Sequence, residues 1–374
     1  MKIHYTSPAN EKLSQMLSFE SIIKNLDINQ LPKVSNAETF PLWKPDGEFS
    51  FLHEAAVIAY HDIIFCSWYN CRIYELHDYT PIRGCFSQDG GRTWSIVETI
   101  GADPDGKLLY CPPVYAISND TLYMLMNTMV APDHIHSLEL YRFDKAAKKF
   151  RLLRSDPIPF KLNTNACHLD NGKLLLPGRI AKLDGFPVTP AVMISDSGLP
   201  EGPWRIVKLQ PNGLLPDGSS YVHPELSVIV NGCNITAFCR NDNRQVPILY
   251  HSTDYGETWS SPIEHDIFFS NSKIYSGTLA NGRNYLIGNI LHSDDDRPET
   301  RRSHLALFFS EPKSLVFTQG WLLRDGVDEK LGLYPQWSYP CAYEWNHQLY
   351  IIYTMVTHPQ PPQKRGAMMT IVKL

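Results

Sequence analysis

Ser87-Gln88-Asp89-Gly90-Gly91-Arg92-Thr93-Trp94 returns further along the chain as Ser252-Thr253-Asp254-Tyr255-Gly256-Glu257-Thr258-Trp259. The shared pattern is Ser-x-Asp-x-Gly-x-Thr-Trp. Ser, Asp and Gly at this spacing specify a tight hairpin turn, in which Asp accepts backbone N–H groups and Gly takes positive φ. The β-branched Thr and the Trp then open a strand and bury a large aromatic against the neighbouring sheet. Asp89 and Asp254 are therefore read as structural turn residues, not as catalytic ones.

Weaker echoes surround the two clear copies. Ser195-Asp196-Ser197-Gly198 precedes Gly202-Pro203-Trp204, Ser310-Glu311-Pro312 leads to Phe317, and Tyr141-Arg142-Phe143-Asp144 leads to Phe150. The copies recur at a step of about 55 residues, a period of the kind that marks propellers. At that step the chain holds six units and a leader, within the usual range of blade numbers.

Local patterning agrees. Short apolar runs such as Ile63–Trp68, Leu122–Met126, Leu226–Val230 and Leu349–Tyr353 lie between turn clusters, among them Asn171-Gly172, Asn231-Gly232 and Asn281-Gly282. Asn-Gly is a strong two-residue hairpin signal. One segment, Ala9–Leu26, has apolar residues at helical spacing. These patterns predict an all-β six-bladed β-propeller over residues 31–374, with a short helical leader over 1–30 packed on it. The last strand, around Met368–Leu374, is expected to pair with a segment of the first blade and close the ring, since closure removes exposed edges.

A net charge of −5 argues against a nucleic-acid or anionic-membrane partner. No apolar run is long enough to span a bilayer as a helix. The N-terminus shows no apolar signal region, so the sequence as it stands reads as cytoplasmic; a periplasmic or secreted location would follow from removal of a signal. The eight cysteines form no C-x-x-C pair and mostly lie in apolar runs, which favours buried free thiols and a reducing compartment, with a link between neighbouring strands left open. No zinc spacing is present, and neither a metal nor a cofactor is expected. The oligomeric state is not set by the sequence.

Propellers concentrate function at their axis, where the first strand of each blade offers side chains to a shared pocket. The candidates are accordingly polar residues near the start of those strands. They comprise His53 and Glu54, with Tyr69 a hairpin later; Asp133-His134-Ile135-His136, read as a solvated loop; His168 and Arg179; Glu225 and Arg240; Tyr275 and Arg283; and Tyr339. Lone charges at such positions are costly to bury. Their convergence on one axis lets them pair with each other or with a charged ligand.

The run from His53 to Trp94, Pro224-Glu225 to Arg240, Tyr275–Leu279 to Asn289 and Tyr339-Pro340 to Tyr353 resembles the Asp-box, or BNR-repeat, proteins of the sialidase-like superfamily of glycoside hydrolases. In that family three arginines clamp the substrate carboxylate, a Tyr–Glu pair forms the nucleophile, and an Asp on a mobile loop is the acid/base. The resemblance implies Glu225 and Tyr339 as the pair, Arg240 as one clamp arginine, and Arg302 or Arg283 as another. It fails in the first blade, where sialidases carry Arg-Ile-Pro and this chain has His53-Glu54-Ala55; Arg72, Arg83 or Arg179 would have to replace the missing arginine. Tyr339 is also followed by Pro instead of Ser.

The expectation that follows is an exo-acting glycosidase, with a carbohydrate as partner and a terminal acidic sugar as substrate. Glu225, Tyr339 and His53 would be catalytic. Arg240, Arg179, Arg283, Arg302, Glu54, Tyr69, His168 and Tyr275 would bind substrate. Two other readings predict different arrangements: a lyase or unusual hydrolase using His53 on a uronic-acid glycan, and a non-catalytic carbohydrate-binding propeller with Trp68, Tyr69 and Trp337 on a shallow face.

Overall fold

A computed structural model describes residues 27–181, 188–210, 213–215, 217–265, 267–291, 301–326, 335–356 and 364–374. Its strands fall into six antiparallel sheets, the blades of a six-bladed propeller. The inner strands are Phe51–Tyr60, Leu109–Ser118, Phe160–Leu162 continued by Cys167–His168, Leu226–Asn231, Tyr275–Thr278 and Gln336–Trp345. We number the blades 1 to 6 in that order.

The five sequence echoes all occupy the same place, the turn between the third and fourth strands of blades 1 to 5. In blade 4, Asp254 Oδ1 accepts the Thr258 N–H at 2.9 Å, and Ser252 Oγ accepts the Gly256 N–H at 2.9 Å. Trp259 then donates its indole N–H to the Gly256 carbonyl at 3.0 Å. Gly256 has φ +83°, and a Cβ there would stand 3.1 Å from Leu175 Cδ1 of blade 3. Both constraints favour glycine. The turn therefore presses Trp259, 3% exposed, into the apolar layer between blades 3 and 4, with Leu175, Val192 and Ile194 on one side and Ile235 and Tyr250 on the other. Blade 1 repeats the construction against blade 6, where Gly91 meets Ile371 and Tyr350.

Ring closure differs from the expectation in one respect. Arg365–Lys373 is the third strand of blade 6, and it pairs with Ala37–Trp43, which precedes the first blade and supplies the fourth strand of blade 6. The outer strand of blade 6 thus comes from the N-terminal side of the described chain. The expected helix Ala9–Leu26 lies outside the described residues. The described chain starts at a short 3-10 turn, Ile28–Gln30, capped by Asp27, whose side chain accepts the Asn29 N–H. Leu31 then packs between blades 4 and 5.

All eight cysteines are free, and six of them are buried. Cys66 and Cys85 face each other across neighbouring strands as two thiols.

Replacing Trp259 by alanine should cost about 3–5 kcal/mol, because it empties the layer joining two blades. Urea unfolding monitored by far-UV circular dichroism measures this; a loss below about 1 kcal/mol would show that the turn does not carry the inter-blade packing.

Candidate active site

The inner strands of blades 6, 1 and 2 each break register at the same height, between Ser338 and Cys341, His53 and Ala56, and Tyr110 and Pro113. Such bulges re-aim side chains beside functional sites. Two of them hold a non-glycine residue at positive φ, Glu54 at +47° and Tyr339 at +57°. That is a conformation in which ordinary residues are uncommon. Both side chains are turned towards the axis.

They open into a pocket of about 390 Å³ at the entry ends of the inner strands. Every blade contributes: His53, Glu54 and Glu75 from blade 1, Asp133 from blade 2, Lys161 and Arg179 from blade 3, His223, Glu225 and Arg240 from blade 4, Arg302 from blade 5 and Tyr339 from blade 6. Arg240 Nη1 donates both to Glu225 Oε2 at 2.9 Å and to the Tyr339 oxygen at 2.7 Å. Asp242 Oδ1 accepts from the far side of the same guanidinium. The Arg302 guanidinium carbon lies 5.3 Å from the centre of the Tyr339 ring. Across the pocket, Asp133 Oδ1 accepts from Lys161 Nζ at 2.8 Å and from Arg179 Nη2 at 2.9 Å.

These charges set the protonation states. Burial alone would push the Glu225 carboxyl up, but Arg240, Arg179 and Lys273 outweigh it and hold Glu225 ionised, below its usual range. Burial likewise raises Asp133, and Lys161 with Arg179 reverses the effect, leaving it well below an ordinary aspartate. Burial, reinforced by Arg365, Arg302, Lys273 and Arg240, keeps His53 neutral, well below the usual histidine range. The Tyr339 hydroxyl is pushed up by burial despite Arg240 beside it, so it rests as a phenol. Its oxygen accepts from Arg240, which leaves its own proton free to be donated.

Glu75 differs from the other carboxylates. It sits on the loop after the second strand of blade 1 with a side chain 43% exposed. The Tyr69 hydroxyl donates to Glu75 Oε1 at 2.8 Å, and Arg365 stands 3.7 Å away. Glu54, by contrast, is buried against Lys273 Nζ at 3.3 Å.

Of the residues expected from the sequence, His53, Glu54, Arg179, Glu225, Arg240, Arg302 and Tyr339 line this pocket. Tyr69 lies behind it, orienting Glu75. Three do not reach it. Arg283 donates to the Ser310 carbonyl and to Gln319 Oε1 within blade 5. His168 and Tyr275 line a second cavity of about 410 Å³ at the exit ends of the inner strands. The reason is strand direction: His168 ends the blade 3 inner strand, and Tyr275 belongs to a short blade 5 strand set low on the axis, so that Lys273 reaches the pocket level instead. Arg72 and Arg83 are also diverted, one over Tyr79 and the other to Asp46.

Lys161 and Glu75 were not singled out by sequence, and Asp133, expected in a solvated loop, lines the pocket instead. The signal for Asp133 was the length of its hairpin, with strands Thr121–Ala131 and His134–Asp144 that carry the Pro132-Asp133 turn up to the pocket. His134 and His136 are exposed, and no group of three metal-ligating side chains occurs among the described residues. Trp68, Tyr69 and Trp337, expected on an open face in a binding module, are buried in the core.

Residues 82–351 match the BNR repeat-like domain. The chain belongs to this BNR-repeat family. No curated protein matches the sequence. Among solved structures, a protein of unknown function from Dyadobacter fermentans is similar at 14% identity and TM-score 0.67, over 91% of this chain and all of that one. Trypanosoma rangeli sialidase in complex with sialic acid is similar at 12% identity and TM-score 0.66, over 91% of this chain and 59% of that one. A NanB sialidase mutant from Streptococcus pneumoniae is similar at 10% identity and TM-score 0.67, over 94% and 72%. The BNR-repeat chain thus has the sialidase-type propeller, and at these identities the likeness speaks for the fold alone.

The Lys161–Asp133–Arg179 cluster gives a pH test of this propeller. Because Asp133 is depressed in the folded state, its contribution is complete above the unfolded pKa of about 3.9 and is lost as pH falls through the folded value. Asp133→Asn should destabilise the protein by on the order of 3 kcal/mol at neutral pH. Below pH ~4 the gap from wild type should shrink. Thermal melts from neutral to acidic pH measure it; a gap constant with pH would show that the Asp133 charge is not paired.

Proposed function

We propose that the protein is an exo-acting glycoside hydrolase that removes a terminal acidic sugar from a glycan. The observation that carries this reading is the single guanidinium nitrogen, Arg240 Nη1, joining Glu225 to the Tyr339 oxygen inside a pocket lined by further cations. Arg240 and Arg302 are suited to receive the sugar's carboxylate, since guanidinium groups match carboxylate geometry. The sialidase-type propeller supports the same class of chemistry.

In this mechanism the Tyr339 oxygen attacks the anomeric carbon while the bond to the leaving oxygen breaks. A phenol is a poor nucleophile until a carboxylate takes its proton, and Glu225 is the acceptor on the same guanidinium. Glu75, on its exposed loop, protonates the leaving oxygen. It then takes a proton from the water that releases the sugar from Tyr339, while Glu225 returns its proton to the departing phenolate and regenerates the phenol. First-blade residues His53 and Glu54, where sialidases carry an arginine, support an acidic sugar other than sialic acid.

Glu225→Gln and Tyr339→Phe should each lower kcat by about 100-fold or more, and Glu225→Gln, which removes one partner of the buried pair with Arg240, should also cost on the order of 3 kcal/mol of stability. A panel of aryl glycosides of sialic acid, glucuronic acid, rhamnose and neutral hexoses, assayed with wild type and both variants, tests this. Unimpaired turnover in Glu225→Gln would remove it from the mechanism.

One observation favours a second reading. His53 is held neutral, donating to or accepting from Thr354 Oγ1 at 2.8 Å, with its ring centre 4.0 Å from that of Tyr339. A neutral imidazole can take the proton beside a uronate carboxylate and start an elimination. An unsaturated product, seen by ultraviolet absorbance and lost in His53→Ala, would select the lyase.

A further inference from the structure

Positive charge stands at two separate places in the pocket. Arg240 and Arg302 converge on Tyr339 of blade 6. Lys161 and Arg179 converge on Asp133, at blades 2 and 3. In a ring of six, blade 3 stands opposite blade 6.

The second pair is poorly explained by packing. Lys161 and Arg179 are direct cross-strand partners in the antiparallel register, an arrangement of like charges that destabilises a sheet. Both are deeply buried, with side-chain exposures of 6% and 2%, and among the described residues they share one carboxylate in direct contact, Asp133, with Glu54 and Glu225 acting from further off. Arg179 Nε and Nη1 are also buried and find no acceptor among the described residues. Unmet buried donors are uncommon and costly in folded proteins. A ligand oxyanion would give the two cations a second counter-charge in direct contact and offer an acceptor to Arg179.

We propose that Arg179 and Lys161 take a second anionic group of the substrate, distinct from the one received by Arg240 and Arg302. The preferred ligand is then an acidic sugar unit carrying two oxyanions, the second being a sulfate ester or the carboxylate of a neighbouring uronate. This rests on the acidic-sugar reading of the pocket.

Calorimetric titration tests it with three probes: a singly charged uronate disaccharide, its sulfated form, and a disaccharide of two uronates. Wild type should bind at least one doubly charged probe about 30-fold or more tighter than the singly charged one, and the better of the two names the source of the second anion. In Arg179→Met that advantage should fall to within about 3-fold, with binding of the singly charged probe unchanged. Lys161→Met keeps the Arg179–Asp133 pair and gives the same comparison if Arg179→Met does not fold. Absence of any advantage in wild type overturns the proposal, as does an advantage that survives both substitutions. Equal weakening of all three probes in Arg179→Met also overturns it, by placing Arg179 in the first clamp. If no probe binds wild type, the acidic-sugar reading falls and this inference with it. Binding with the expected preference but without turnover removes only the hydrolase.

Discussion

The antiparallel pairing of Ala37–Trp43 with Arg365–Lys373 makes a ring out of six sheets. Without it blade 6 has three strands and an open edge beside blade 1, and an open edge is a site of unwanted pairing. Tyr339 belongs to blade 6, and the residues it must face belong to blades 1, 4 and 5. The pocket exists only while the first and last described strands of the chain are held in one sheet, so its geometry depends on a contact between residues more than three hundred positions apart.

Within that ring the blades solve two opposed problems. Their flanks must be apolar, and the repeated turn serves this by driving a Trp or Phe between neighbouring sheets. Their inner ends must be polar, and here the strands lose regularity. The bulges at His53–Ala56 and Ser338–Cys341 place Glu54 and Tyr339 at positive φ, a strained backbone that the flanking strand pairs hold in place. Regular pleating would have alternated these side chains between core and axis.

The repeated turn was legible because its chemistry is local: Ser, Asp and Gly make their bonds within a few residues, and their spacing fixes the turn. Glu225, Arg240, His53 and Tyr339 were legible because a charged or polar residue at the mouth of an apolar strand has few places to go but the axis. Height along the axis was not. Tyr275 and Lys273 are two residues apart, yet Lys273 meets Glu54 at the pocket while Tyr275 stacks on Tyr285 in the opposite cavity. Asp133 was hidden for a related reason. Its role depends on how far a hairpin overreaches its neighbours, a property of three-dimensional register and not of the residues around it.

The electrostatics bear on which group moves a proton. Glu225 and Asp133 are held ionised by buried cations, and each could donate a proton only after losing its partners. His53 is held neutral by burial, reinforced by four cations, which makes the imidazolium form costly, so that at neutral pH the ring carries no imidazolium proton to give. Tyr339 retains its proton because it is buried, and Arg240 lies between it and Glu225. Glu75, on the loop after the second strand of blade 1 and oriented by the Tyr69 hydroxyl, is a pocket carboxyl open to solvent, 43% exposed. An incoming anion that engages Arg240 would loosen its hold on Glu225 and Tyr339 together, bringing base and nucleophile into play only when substrate is present.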